Sequence, residues 1–347
     1  MLRDATGRYE PRQATSVASS SLTTGTGGRR NRPEHMRFFV GVTDYDWFRF
    51  LAGRPDIDEL NFWQPSGGVG FQVLQPGELF LFKLHSPRNF VVGGGFFAHW
   101  SALPISLAWE AFGEKNGAAS LHEMRVRLAR YRKAAVDPRA DYSIGCILLE
   151  QPFFLREEDW VPVPADWSRN IVRGKGYDAR EGEGRRLWER LVAVAGARFV
   201  AAPAVSPFEP TRVAERYGSP TVVLPRLGQG SFRVVVTDLY ERRCAVTGER
   251  TLPVLQAAHI RPYSAEGPHE PRNGLLLRSD LHTLFDRGYV TVTPEQRLEV
   301  SRRIREEYEN GRDYYALAGK VLRRPLNREL APAREYLDWH ASNVFRG

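Results

Sequence analysis

One stretch restricts the fold of this chain more than any other. The apolar run TLPVLQAAHI ends at His259, the turn-rich segment RPYSAEGPHEPRNG follows with Asn273, and the short segment SDLHTLFDR then carries His282 and Asp286. These read as a strand that stops at His259, a loop, and a helix with Ser279 as its N-cap and Gly288 as its stop. His282 and Asp286 are i and i+4, so a helix places both side chains on one face, one turn apart. A divalent cation needs convergent imidazole and carboxylate ligands, and one rigid turn supplies both. A histidine at the facing strand end can take a proton from water, and an amide can orient it or join the metal shell. That combination suits hydrolysis of a phosphodiester.

The rest of the chain divides by texture. Residues 1–35 carry Ser, Thr, Gly and Arg with almost nothing to build a core, the composition of a disordered tail. From Met36 the pattern becomes strand (MRFFVGVT), short helix ended by Gly53, two strands (ELFLFKLH and NFVVGGGFFAHW), two helices (SALPISLAWEAFG and SLHEMRVRLARYRK) and a strand (DYSIGCILLEQPFFL). The proline-spaced VPVPADW closes this unit. IVRGKGYDAREGEG reads as linker, and EGRRLWERLVAVAG as an amphipathic helix with Leu187, Leu191 and Val194 on one face. FRVVVTDLYERRCAVTGE reads as a strand running into a turn, YVTVT and RLEVS as a hairpin, and 302–319 and 327–346 as helical.

Composition narrows the function. Hydrophobic residues make up 42% of the 347, enough for sizeable cores, yet no run approaches the ~18 apolar residues of a membrane helix. Cys146 and Cys244 are the only cysteines, which excludes a disulfide framework and a four-cysteine zinc site. The net charge is +8, and only five of the 49 basic residues are lysines. Arginine's planar fork fits phosphate and base edges, which points to nucleic acid. A genome rich in arginine codons accounts for the count equally well.

The stretch from CAVTGERTLPVLQAAHI to LHTLFDRGYVTV resembles the HNH endonucleases, the ββα-metal nucleases, in the branch common in prokaryotic restriction-type proteins. The resemblance implies His259 as general base, Asn273 orienting it or touching the metal, and His282 as a metal ligand essential for catalysis. Asp286 stands where many members have another ligand, and Mg²⁺ or Mn²⁺ is the implied cofactor. Two departures stand out. Ala258 occupies the position before the base where many members carry an Asp or His ligand. The paired CxxC knuckles are missing, so no structural zinc is expected and packing must hold the unit together.

The N-terminal segments MRFFVGVTDYDWFRFLAG, NFWQPSG, PGELFLFKLHSPRNFVVGGG and WEAFG resemble the PUA superfamily in its broad sense, whose EVE, YTH and SRA-like members bind modified or flipped bases. Enclosing a flipped base needs aromatic walls and a few polar groups. Candidates for the walls are Trp47, Trp63, Phe97, Trp100 and Trp109, with Tyr45, Asp46, Asn61 and Ser101 for the base edge. Trp63 stands out, because NFWQPSGG reads as a loop where an indole has little structural role. Lys83, His85, Arg88, Arg261 and Arg278 are candidates for phosphate contacts.

The expected fold class is α+β. A PUA-like mixed β-barrel spans 36–170, a helical and irregular linker spans 171–230, and a ββα-metal unit with C-terminal helices spans 231–347. The expected function is a modification-dependent restriction endonuclease of the prokaryotic cytoplasm, active in phage defence as a homodimer. It would flip 5-methyl- or 5-hydroxymethylcytosine out of double-stranded DNA and cut with the metal-dependent site. Two alternatives remain: an HNH nicking or homing-type nuclease that reads ordinary sequence, and a non-catalytic nucleic-acid binder with a decayed nuclease unit. Cutting modified and unmodified copies of one DNA equally would favour the first alternative, and Ala258 is the only support for the second.

Overall fold

The computed structural model describes residues 37–200 and 227–347, apart from Val69, Ala134, Val136 and Pro138. The expected N-terminal tail and residues 201–226 of the expected linker lie outside them. The described residues belong to one compact unit.

The first half is built on one mixed sheet. Its strands are β1 (Arg37–Thr43), β2 (Glu59–Gln64), β3 (Leu79–Leu84), β4 (Phe90–Pro104), β5 (Ser143–Phe154), β6 (Val161–Pro162) and β7 (Gly174–Asp178). They run in the order β2-β5-β4-β3-β1-β7, with β6 on the end of β4. Only β1 and β3 pair in parallel. Helix α1 (Tyr45–Ala52) starts where Asp44 accepts a hydrogen bond from the Trp47 N–H, and it ends at Gly53. It buries Trp47, Phe48 and Leu51 against Phe62, Phe80, Phe82 and Leu149 on one face of the sheet. Such dense aromatic packing is mostly core, the ordinary fate of large rings.

The other face is covered in two places. Helices α2 (Ile105–Phe112) and α3 (Leu121–Arg132) close over Cys146 and Leu148. Helix α4 (Gly182–Val200) lays Leu187, Leu191 and Ala195 on Phe38, Val40 and Leu81. Three expectations change here. Gly174–Asp178, expected as linker, is an edge strand: its Tyr177 packs on Phe38 and its backbone completes β1. Trp63 lies inside β2 opposite Cys146, not on a loop. Val194, expected on the apolar face of α4, is 40% exposed, and Ala195 takes its place in the core.

The second half opens with helix α5 (Gln229–Leu239) where the sequence predicted a strand. The β-branched run Arg233-Val-Val-Val imitates strand composition, but burial decides the outcome. Phe232, Val236 and Tyr240 recur every four residues and enter the C-terminal core, while Val234 enters the core under α2. A helix apolar on two sides belongs between two bodies. Next come β8 (Leu255–His259) and β9 (Gly274–Arg278), paired antiparallel with His259 opposite Gly274, and then α6 (Ser279–Asp286). Arg278 takes the N-cap position expected for Ser279, which forms the first helical residue. Gly288 ends the turn at φ 75° and bonds to the Phe285 carbonyl. Strands β10 (Val290–Val292) and β11 (Leu298–Val300) form the expected hairpin. Helices α7 (Arg303–Tyr308), α8 (Arg312–Tyr315) and α9 (Arg334–Asn343) complete the unit. The fold class is α+β. No helix of the described residues is long and apolar enough to cross a membrane.

Candidate active site

The β8–β9–α6 unit forms because Leu255, Ala258, Leu275, Leu276, Leu277, Leu281 and Phe285 share one core. That core fixes the end of β8 beside α6. Cys244, a free thiol, is buried in the same core.

His259 emerges at the end of β8 with one ring face against Phe232 of α5, centroids 3.8 Å apart and planes 13° apart. Its Nε2 lies 2.8 Å from Nδ1 of His269. Burial first, then the charges of His269 and His282, push its pKa down to about 4. The ring is therefore neutral at physiological pH and offers a lone pair. Tyr263, 71% exposed, stacks on His269 at 4.9 Å and 5°.

Asn273 is fully buried. Its Nδ2 donates to the carbonyls of Arg261 and Pro268 at 2.8 and 3.0 Å, and its Oδ1 accepts from the Arg261 N–H at 2.9 Å. These bonds close the loop after β8 on itself and use both ends of the amide. None of these side-chain bonds reaches His259 or His282; Asn273 fixes the loop that carries His269.

His282 and Asp286 meet as their spacing predicts, with Nε2 and Oδ2 3.3 Å apart. Gln256, two residues before Ala258 and unmarked by any motif, places its Oε1 2.8 Å from His282 Nδ1. An amide oxygen can only accept, so Nδ1 carries a proton, which leaves Nε2 as the nitrogen able to offer a lone pair to a cation on the Asp286 side. An outer partner that orients an imidazole in this way is typical of metal-ligating histidines. The donor set therefore fits a divalent cation held by one imidazole and one carboxylate, with other positions left to water and substrate oxygen. Among the described residues no group of three or more His, Cys, Asp or Glu converges, and Ala258 is buried in the core.

The predicted phosphate contacts are engaged within the chain. Arg278 makes two bonds to Asp280, and Arg261 donates to the Ala265 carbonyl while lying over the Trp339 ring. Arg88 lies over Tyr45, and the buried Lys83 bonds to Asn89.

The expected pocket residues separate. Trp47 and Phe97 are core, Asp46 is exposed on α1, and Ser101 is buried on β4. Asn61 is fully buried and donates to Asn116 Oδ1 and Cys146 Sγ. Tyr45, Trp63, Trp100 and Trp109 are half-buried. Trp63 donates its Nε1–H to the Asn116 carbonyl and meets the edge of Tyr131, which is 43% exposed. Tyr131 stacks on His85 and donates to Asp44. Tyr131 and His85 thus form an aromatic and polar rim beside Trp63. Tyr131 escaped the sequence reading because it reads as one more residue of an arginine-rich helix.

Residues 244–293 match the HNH endonuclease family. That match falls on β8, β9 and α6, the segment whose motif resemblance pointed to the same family. No curated protein matches the chain. Among solved structures, the chain is similar to a modification-dependent restriction endonuclease, TagI, at 24% identity over 33% of this chain and 37% of that one, with a TM-score of 0.26. It is also similar to an ASCH protein from Zymomonas mobilis at 8% identity over 45% of this chain and 94% of that one, with a TM-score of 0.29.

Proposed function

We propose that this chain is a modification-dependent DNA endonuclease that recognises modified cytosine through its N-terminal sheet and cuts with the β8–β9–α6 site. The observation that carries the nuclease part is the neutral His259 at the strand end beside an oriented His282–Asp286 pair, inside the segment that matches the HNH endonucleases.

In this reading His259 holds the proton taken from the attacking water, and Phe232 fixes the plane of its ring. Gln256 sets the tautomer of His282, and His282 with Asp286 would hold a divalent ion such as Mg²⁺ or Mn²⁺. When bound, that ion supplies Lewis-acid stabilisation of charge on the phosphate and leaving oxygens. Asn273 keeps the loop closed around the base. One site cuts one strand, so a double-strand break calls for two copies or two visits.

Recognition is assigned to the rim of Trp63, Tyr131 and His85, where a flipped base would stack and meet polar groups. The PUA-like resemblance of the segments that carry Trp63 and His85 supports that assignment. The test is a digest of unmodified, 5-methyl-, 5-hydroxymethyl- and glucosylated-cytosine DNA with Mg²⁺ or Mn²⁺. Cleavage confined to one or more modified substrates, and stopped by chelator, is expected. Equal cutting of all four makes the chain a reader of ordinary sequence, and no cutting of any rejects the nuclease.

A further inference from the structure

The loop between β8 and β9 returns a second imidazole to the strand-end histidine, and the role assigned to His259 does not use it. His269 lies in the stretch that Asn273 holds closed, and its Nδ1 is 2.8 Å from His259 Nε2. Both rings are confined on a face, His259 by Phe232 and His269 by Tyr263. Such a short contact between two neutral rings requires one N–H and one lone pair, so one proton is shared between them.

We propose that His259 and His269 form a two-imidazole relay, with His269 taking the proton that His259 would otherwise have to keep. The proposal rests on the nuclease reading above. In the ground state His259 carries its proton on Nε2 and donates it to Nδ1 of His269, which carries its own on Nε2. His259 Nδ1 then faces the attacking water. As the water oxygen bonds to phosphorus and the P–O bond to the leaving oxygen breaks, an O–H bond of the water gives way to an Nδ1–H bond on His259. The Nε2 proton of His259 crosses to His269 Nδ1. His259 ends neutral and His269 ends as the imidazolium.

The surroundings favour that direction. Both rings lose basicity by burial, but the neighbours differ. Beyond the mutual repulsion of the two rings, positive charge at His282 opposes a proton on His259. Glu59 and Asp58, at the start of β2, favour a cation on His269, with Lys115 opposing. Burial leaves His259 a weak base alone, and passing the charge towards two carboxylates relieves this. Glu59 opens strand β2 and Asp58 precedes it, so the N-terminal half contributes field to the reaction as well as support.

His269 acts through His259, so its test must separate chemistry from fold. With the full-length chain, modified plasmid DNA and Mn²⁺, His269→Gln is expected to lower kcat about tenfold or more while KM changes less than about twofold. Single-turnover cleavage by the wild-type chain in mixtures of H₂O and D₂O gives a second readout that needs no variant. A bowed dependence on deuterium fraction, from two protons in flight, is expected, and a linear one overturns the relay. Wild-type kcat in His269→Gln also overturns it, as does a loss confined to KM. If the wild-type chain cuts no DNA, the nuclease reading falls and the relay falls with it.

Discussion

At the scale of single residues, the site depends on groups that act on other groups. His259→Ala should lower kcat by roughly 10²–10⁴ with folding and DNA binding retained, because a general base contributes to the reaction and not to docking. Unchanged cleavage would place the base elsewhere. Gln256 makes a different prediction, because it touches only His282 within the proposed ligand pair. Gln256→Leu frees the Nδ1 tautomer and should raise the Mn²⁺ concentration for half-maximal cleavage about tenfold or more, with kcat at saturating metal little changed. An unaltered metal titration would remove Gln256 from the site. His259, His282 and Asp286 were legible in the sequence because local spacing alone brings the last two together on one helical turn. Gln256 and His269 were not. Their roles depend on which way a strand faces and how a loop returns, and neither is encoded in nearby spacing. The same holds for Asn273, whose presence was legible but whose partners were not.

At the scale of elements, α5 decides how the two halves meet. The buried Glu59 carboxylate and the buried Glu150 carboxyl seat its N-terminus: Glu59 accepts from the N–H groups of Gly230 and Ser231, and Glu150 from that of Gly228. Carboxylates at a helix N-terminus satisfy orphan donors and meet the positive end of the dipole. Along the helix, His99 pairs with Asp238 and Arg233 with Glu110, and just past its end Arg242 donates to the Ala102 carbonyl. A Cβ on Gly230 would lie 2.5 Å from the Ala111 carbonyl oxygen, so Gly230→Ala should unseat the helix and lower both Tm and kcat through Phe232. A change in neither would mean that the contact is dispensable. Glu150 gives a pH prediction. Burial, and then the charge of Glu59, push its pKa up to about 8 from an ordinary 4.5. The fold thus keeps a proton that the unfolded chain releases, a stabilisation complete at low pH and lost as pH rises through about 8. Glu150→Gln is permanently neutral, so its Tm relative to wild type should climb between about pH 5 and about pH 8. A constant difference would show that the folded chain holds Glu150 ionised. Strands β1, β3, β4 and β5 were legible from their apolar runs. Helix α5 and strands β2 and β7 were not, because a helix buried on two sides looks like a strand, a strand running into a proline–glycine turn looks like a loop, and a glycine-rich edge strand looks like a linker.

At the scale of the whole molecule, binding and discrimination should separate. Background affinity for DNA is a matter of total charge, and the chain carries +8 with most of its cations as arginine. Each phosphate contact releases counterions, so this part of binding should weaken steeply and equally for any DNA as salt rises. Discrimination instead belongs to the few side chains that would enclose a flipped base. Stacking on an aromatic face contributes about 1–3 kcal/mol per base and is then filtered by shape and polar contacts. Trp63 and Tyr131 are the proposed faces, and Tyr131 is the better first target because 43% of it is exposed and its loss disturbs little core. Tyr131→Ala and Trp63→Ala in the full-length chain should each shrink the ratio of affinities for modified and unmodified DNA by about tenfold. The slope of log affinity against log salt should match wild type in both variants, because no phosphate contact has been removed. Fluorescence anisotropy with the two duplexes at several salt concentrations, under chelator to prevent cutting, measures both quantities at once. A ratio near one already in the wild-type chain would assign the N-terminal sheet to ordinary-sequence or nonspecific binding. A wild-type preference untouched by either variant would place the base pocket elsewhere on the molecule.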